Sequence, residues 1–405
     1  MATKIGVLRE GKVPPDKRVA LTPIKCVEVM ERFKDVEVVV QPSPIRAFKD
    51  EDYTKLGVKL QEDLSDCDII FGVKEVNLED LIENKHFFFF SHTYKKQPYN
   101  RALLQTILEK KIQLTDYEVL TDERGIRLIG FGRYAGIVGA YNGFRTFGLK
   151  HKLYDLKPAH TCFDREAMEA ELSKVSLPNN MKIVLTGFGR VGYGAREILD
   201  LLPIKEVTPE AFLNEEFTEA VFSQLNVEDY NKRVDGEEFD KHAFYKSGEG
   251  HLSTFPRYLN HAHMYIACHY YHNTAPYLYT RENIKDENVV TSVVADISCD
   301  IDGPVASTIR PSTIADPIYG YHPQKEEEID FMDEEAIAVM AVDNLPCELP
   351  RDASEDFGEE LIKSILPPLL EDDPTDIIER GSETDLKGNL TSKFSYLEAY
   401  VKGEE

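Results

Sequence analysis

The chain has 405 residues, 72 of them Asp or Glu and 47 Lys or Arg, for a formal charge of −25. Its 42% hydrophobic content, 24 Gly and 21 Pro form an ordinary globular composition, which excludes wholesale disorder, collagen and a disulfide scaffold. So acidic a surface repels phosphate backbones and anionic lipid, so neither a nucleic-acid nor a membrane partner is expected.

At about 100–200 residues per domain, the length predicts two or three domains. Met1–Leu8 reads as a strand that starts at once, without the apolar core and cleavage site of a signal peptide. Thr22 and Pro23 open a helical stretch to Phe33 as N-cap and first helical residue. Val36–Val40 is β-like, and Glu51–Leu60 is loop and helix. Cys67–Val73 is a nearly continuous apolar run, as in a strand buried on both faces. His86–Ser91 is another, too short for a membrane span. Asn100–Lys110 is helical, and Gln113–Leu120 and Arg127–Phe131 close this section. Strand and helix alternating at this interval predict an α/β fold with a largely parallel sheet.

A second α/β section follows. Tyr134–Phe147 carries small residues at helical intervals, Lys182–Thr186 is a short strand and Gly194–Leu202 is helical. Residues 209–249 are acidic and weakly periodic, and read as a variable surface insertion. His263–His269 and Val289–Ile297 are strong β-runs. In the last third, Glu334–Val342 has helical spacing, and Asp352–Leu370 reads as a long helix capped by Ser354 with Pro367 near its end.

Six cysteines (Cys26, Cys67, Cys162, Cys268, Cys299, Cys347) are scattered without a CxxC pair, so no metal site is expected and a reduced, cytoplasmic setting is. The cluster His261, His263, His269 and His272 lacks a carboxylate or cysteine at ligand spacing. It reads as a dense polar and aromatic stretch on a buried strand and its flanks.

The sharpest motif is Lys182–Thr186 followed by Gly187-Phe188-Gly189-Arg190-Val191-Gly192 and a helix. Gly187 allows the tight turn, Gly189 leaves room for a pyrophosphate and Gly192 lets the helix approach the strand. With strand before and helix after, this pattern predicts dinucleotide binding. Glu206, 19 positions past Gly187, stands where such folds carry an acid for the adenine ribose, which favours NAD over NADP; a surface Glu on an edge strand is the alternative. In the first section, Lys74 and His92 close two successive apolar runs. In a parallel sheet such positions line the ligand crevice, so the two converge on one substrate by expectation.

These segments resemble the alanine dehydrogenase/saccharopine dehydrogenase family, most closely the NAD-dependent, lysine-forming saccharopine dehydrogenases. The resemblance rests on Arg18-Val19-Ala20-Leu21-Thr22-Pro23, Gly72-Val73-Lys74-Glu75, His92-Thr93-Tyr94-Lys95, Asp116-Tyr117-Glu118, Arg127, Phe131–Gly136, the glycine turn, Asp296–Asp300, Val342–Pro346 and Leu349–Ser354. It implies two Rossmann-like doubly wound domains, the first discontinuous: 1–135, an NAD domain at 136–329, and a return at 330–405, with Tyr134–Phe147 as linking helix.

The resemblance further implies Lys74, His92 and Asp300 as catalytic residues. It implies Arg18 and Arg127 as carboxylate forks, with Glu75, Glu118 and Arg133 also lining the substrate. Cofactor contacts fall on Gly187, Gly189, Arg190, Val191, Gly192, Glu206 and Asp296. An arginine at 133 departs from the pattern, and either alters which acid fits or points to solvent. The implied reaction is NAD-linked oxidative deamination of saccharopine in the cleft between domains. Alternatives are a primary amino acid such as alanine, a catalytically idle NAD-binding protein, and a transhydrogenase-like subunit, which would need a membrane partner.

Overall fold

The structure is a computed structural model and describes residues 2–404. It divides into two compact units: the chain up to Phe131 together with the chain from Pro350 onward, and Gly132–Leu349. No helix among the described residues is long and apolar enough to cross a membrane.

The first unit holds β1 (Thr3–Val7), β2 (Val36–Val40), β3 (Lys59–Leu60), β4 (Ile69–Phe71), β5 (His86–Phe89) and β6 (Gln113–Asp116). They form one all-parallel sheet in the order β3-β2-β1-β4-β5-β6, the doubly wound arrangement. Phe71 pairs with Phe88, so the carboxyl ends of β4 and β5 lie side by side. The apolar runs predicted from the sequence are buried on both faces, as parallel strands require. The helix Pro23–Arg32 starts where expected, with the Thr22 hydroxyl accepting from the Lys25 amide.

The C-terminal return completes this unit. Phe357 of the helix Pro350–Glu360 stacks on Phe131 at 4.6 Å and meets Tyr117 edge-on at 5.0 Å. The helix runs on through a π turn, Leu361–Ile365, into Leu366–Leu370. Ser354 does not cap it. Four residues inside, its hydroxyl donates to the Pro350 carbonyl (2.6 Å) and accepts from the Val19 amide (3.0 Å), stitching the return to the N-terminal section.

The second unit holds β7 (Lys182–Thr186), β8 (Lys205–Glu206), β9 (Val221–Leu225), a separate hairpin of β10 (Asn231–Arg233) and β11 (His251–Ser253), β12 (Met264–Ala267), β13 (Val293–Asp296), β14 (Ile318–His322), β15 (Glu327–Ile329) and β16 (Ile337–Met340). The sheet order is β15-β14-β16-β13-β12-β7-β9-β8, parallel except for β14 and β15. The helix Gly132–Lys150 lies against the helix Arg190–Leu199. A Cβ on Gly136 would sit 2.0 Å from the Val191 carbonyl oxygen, so the small residues at helical intervals are there for close approach.

Three expectations change. Glu334–Val342 holds a strand, because Ile337–Met340 is buried on both faces between β13 and β14. The return to the first unit therefore starts at Pro350, not at residue 330, and the crossing out of it falls at 131/132. Residues 209–249 are no mere surface insertion: they supply β9, which is wholly buried and pairs directly with β7.

Candidate active site

Lys74 and His92 emerge from the adjacent carboxyl ends of β4 and β5. The Glu10 carboxylate, itself just past β1, accepts both the Val73 amide (2.7 Å) and the Lys74 amide (2.8 Å), which fixes where Lys74 leaves the sheet. Burial lowers the Lys74 ammonium's pKa, and the cations of Arg18 and Lys12 lower it further. Burial likewise pushes the Glu10 carboxyl up to about 7, against the pull of its two amide donors.

His92 sits in the left-handed region (φ 55°), its amide donating to Asp116 Oδ2 at 3.2 Å. Its Nδ1 lies 2.6 Å from Glu75 Oε1, and its Nε2 lies 3.8 Å from Glu118 Oε2. Burial pushes Glu75 up, but hydrogen bonds from His92 and Lys12 (2.9 Å) outweigh it and hold the carboxyl at about 2. A carboxylate that strong at Nδ1 takes the Nδ1–H and leaves Nε2 as the exchanging nitrogen.

Glu118 is ringed by cations, Arg127 at 2.9 Å and Lys95 at 3.0 Å. Burial raises its pKa, and these two charges reverse the shift to a net lowering. The buried Arg18 pairs bidentately with Asp16 (Nε–Oδ1 3.0 Å, Nη2–Oδ2 2.6 Å) and lies 4.1 Å over the Phe131 ring. One edge of each expected carboxylate fork is thus engaged by an acid of the protein itself.

In the second unit the glycine turn fits a dinucleotide. Gly187 has φ +96°, and a Cβ there would meet the Cys268 carbonyl at 2.4 Å; a Cβ on Gly192 would meet the Gly187 carbonyl at 2.2 Å. A Cβ on Gly189 meets nothing within 4 Å, which leaves the space a pyrophosphate needs before the ten-residue helix Arg190–Leu199. Beside the turn, the buried Nε2 of His269 has no hydrogen-bond partner among the described residues.

Two predicted site residues have ion-pair partners within the second unit. Glu206 lies on the edge strand β8, with β9 between it and β7, and its carboxylate is gripped by Arg196 at 2.5–2.6 Å. The strand beside the glycine turn is β9, which presents Gln224 and then Asn226. Arg133 falls in the second unit with its fork on Glu197 (2.7 and 2.9 Å), so it is held by that salt bridge rather than pointing freely to solvent. Asp296 is buried at the end of β13 and accepts from Ser298, Thr308 and the Cys299 amide; it holds the loop that carries Asp300. Burial, then the Asp296 charge, raises the Asp300 carboxyl. No group of three His, Cys, Asp or Glu among the described residues is placed to hold a metal ion.

Residues 6–138 match the family described as alanine dehydrogenase/PNT, N-terminal domain. Alpha-aminoadipic semialdehyde synthase of Arabidopsis thaliana is 29% identical over 88% of this chain and 37% of that protein, and the Bos taurus enzyme is 30% identical over 91% and 45%. The chain therefore spans less than half the length of these relatives. Saccharopine dehydrogenase (NAD(+), L-lysine-forming) of Yarrowia lipolytica is 26% identical over 89% of this chain and 90% of that one. Over residues 6–138 the chain matches the alanine dehydrogenase/PNT family model, and over most of its length it is similar to the lysine-forming saccharopine dehydrogenases. An L-alanine dehydrogenase structure aligns over 99% of both chains with a TM-score of 0.64 at 16% identity, which shows that this chain shares that fold.

Glu10, Lys12 and Asp16 stand in no motif of the sequence, and Asp116 stands in one of the matching segments without a role of its own. The first and last could have been found by the rule that found Lys74 and His92, since both stand at or just past the carboxyl end of a parallel strand. Lys12 and Asp16 lie in the irregular segment after β1, which has no period to read.

Proposed function

We propose that this chain is an oxidoreductase of the saccharopine dehydrogenase, lysine-forming type. The second unit holds NAD through Gly187, Gly189, Arg190, Val191 and Gly192, and Lys74 and His92 of the first unit serve as the acid–base pair. The observation that carries this reading is the pairing of a lysine whose ammonium is destabilised with an imidazole locked at Nδ1, on neighbouring strand ends.

Bound NAD supplies the hydride acceptor for the carbon of the C–N bond. Lys74, its proton loosened by burial and by Arg18 and Lys12, takes the proton of the substrate nitrogen at Nζ. His92 moves a proton at Nε2 when water adds and when the amine leaves. Glu75 stabilises the imidazolium form that results. Arg127, 46% exposed, receives a substrate carboxylate by exchange with Glu118, and Arg18 offers a second cation beside Lys74. Asp300 acts as the further active-site acid. NAD rather than NADP follows from the similarity to NAD-linked, lysine-forming enzymes. A reducing, cytoplasmic setting fits six cysteines scattered along the sequence without a CxxC pair.

The test mixes the purified chain with lysine, 2-oxoglutarate and either NADH or NADPH, and follows loss of reduced nicotinamide. The expected result is turnover that needs both lysine and 2-oxoglutarate and prefers NADH. Turnover with ammonia and pyruvate alone, or with no pair of substrates, overturns the reading.

A further inference from the structure

Under the Ser91-His92-Thr93 turn lie two buried carboxyl groups from opposite ends of the sequence, Asp116 at the end of β6 and Glu383 of the C-terminal return. Glu383 is anchored by its backbone, its amide donating to the Leu114 carbonyl at 2.7 Å and its carbonyl accepting from the Thr391 amide at 2.9 Å. Its side chain reaches Thr93 Oγ1 at 2.7 Å; Thr93 Oγ1 lies 2.6 Å from Ser91 Oγ; and Ser91 Oγ lies 2.6 Å from Asp116 Oδ2.

Each of these three contacts is short enough to require a hydrogen between its oxygens. The two hydroxyls provide two hydrogens. The third has to come from a carboxyl group, because otherwise two lone pairs face each other at 2.6 or 2.7 Å. Asp116 is the charged end: its oxygens accept the amides of Ser91 (2.8 Å), His92 (3.2 Å) and Glu118 (2.7 Å). No backbone donor and no cation pairs with the Glu383 carboxyl among the described residues.

We propose that Glu383 is a neutral carboxylic acid that donates through Thr93 and Ser91 to the Asp116 carboxylate, and that this directed chain is the positioning device for His92. Its far end holds the His92 amide while that residue occupies a left-handed conformation. Burial, then the Asp116 charge, pushes the Glu383 carboxyl up to about 8, in agreement with the hydrogen count. The other titratable groups that feel Glu383 are the phenols of Tyr396 and Tyr400, both with raised pKa values. Glu383 touches no reacting atom; the catalytic consequence rests on the role of His92 given above.

The test uses the full chain with E383Q, whose amide N–H can donate as the acid does, and E383L, which cannot donate. A wild-type-minus-E383Q infrared difference spectrum at pH 7 is expected to show the C=O stretch of a protonated carboxylic acid. A spectrum with carboxylate bands alone overturns the proposal. Turnover is expected to fall about tenfold or more in kcat in E383L, with the cofactor KM kept, and to recover to within about threefold of wild type in E383Q. A folded E383Q that falls as far as E383L also overturns it. Should the wild type turn over no amino acid, the assigned reaction fails while the infrared band still decides the proton chain; should E383L not fold, the band and E383Q decide it.

Discussion

Five charged residues surround one imidazole. Glu75, held down to about 2 by His92 and Lys12, claims Nδ1, while Glu118, held by Arg127 and Lys95, lies 3.8 Å from Nε2. A Glu75→Gln variant frees the tautomer, and its kcat should drop about 10- to 100-fold with cofactor affinity unchanged, measured by steady-state kinetics and nicotinamide fluorescence. The carboxyls also predict a stability profile. Glu383 binds its proton more tightly folded (about 8) than unfolded (ordinary value 4.5), so its contribution is fully present below pH 4.5 and is lost as pH rises through 8. Urea denaturation should show wild type losing stability relative to E383Q between about pH 5 and 8; a constant difference contradicts the assignment. At this scale Lys74, His92, Glu75 and Glu118 were legible because parallel-strand ends and a family pattern point to them. Asp16 and Glu383 were not, because a buried partner from an aperiodic loop or from the far end of the chain leaves no local signal.

The glycine turn shows how an element's sequence encodes both packing and binding. Gly192→Ala drives a methyl toward the Gly187 carbonyl, 2.2 Å away, so the variant should melt lower and bind dinucleotide poorly. Gly189→Ala meets open space, so it should melt like wild type yet lose dinucleotide affinity, because the methyl takes the pyrophosphate's place. Thermal melts with and without cofactor separate the two. A Gly189→Ala protein that binds normally contradicts the placement. The turn was readable because strand, glycines and helix follow one another. Two other elements were misread for physical reasons. Ile337–Met340 is a four-residue apolar run, too short for a period of 2 to be told from one of 3.6. Val221–Leu225 hides a fully buried strand behind Ser223 and Gln224 and between acidic flanks. Glu206, expected from the spacing to read a ribose, stands on the edge strand β8 with its carboxylate on Arg196.

The chain leaves its first unit at Phe131 and returns at Pro350, and the return is structural. Phe357, Leu361, Ile362, Ile365 and Leu366 are buried in the same core as β1, β2 and β4. A chain ending at Leu349 should therefore lose the first unit's folding while the 132–349 unit still binds dinucleotide, read by proteolysis and cofactor fluorescence. Retention of a protease-resistant first unit contradicts that dependence. The discontinuous, two-unit plan was legible from the family resemblance, but the return point was not, since Ile337–Met340, a strand of the second unit, lies in a stretch with helical spacing.

The most direct measurement is a comparison of wild type with the Lys74→Met/His92→Gln double variant, recording NADH oxidation with lysine and 2-oxoglutarate alongside NADH binding. The assignment predicts a loss of turnover of about 10²-fold or more with binding intact. A double variant that turns over like wild type contradicts it.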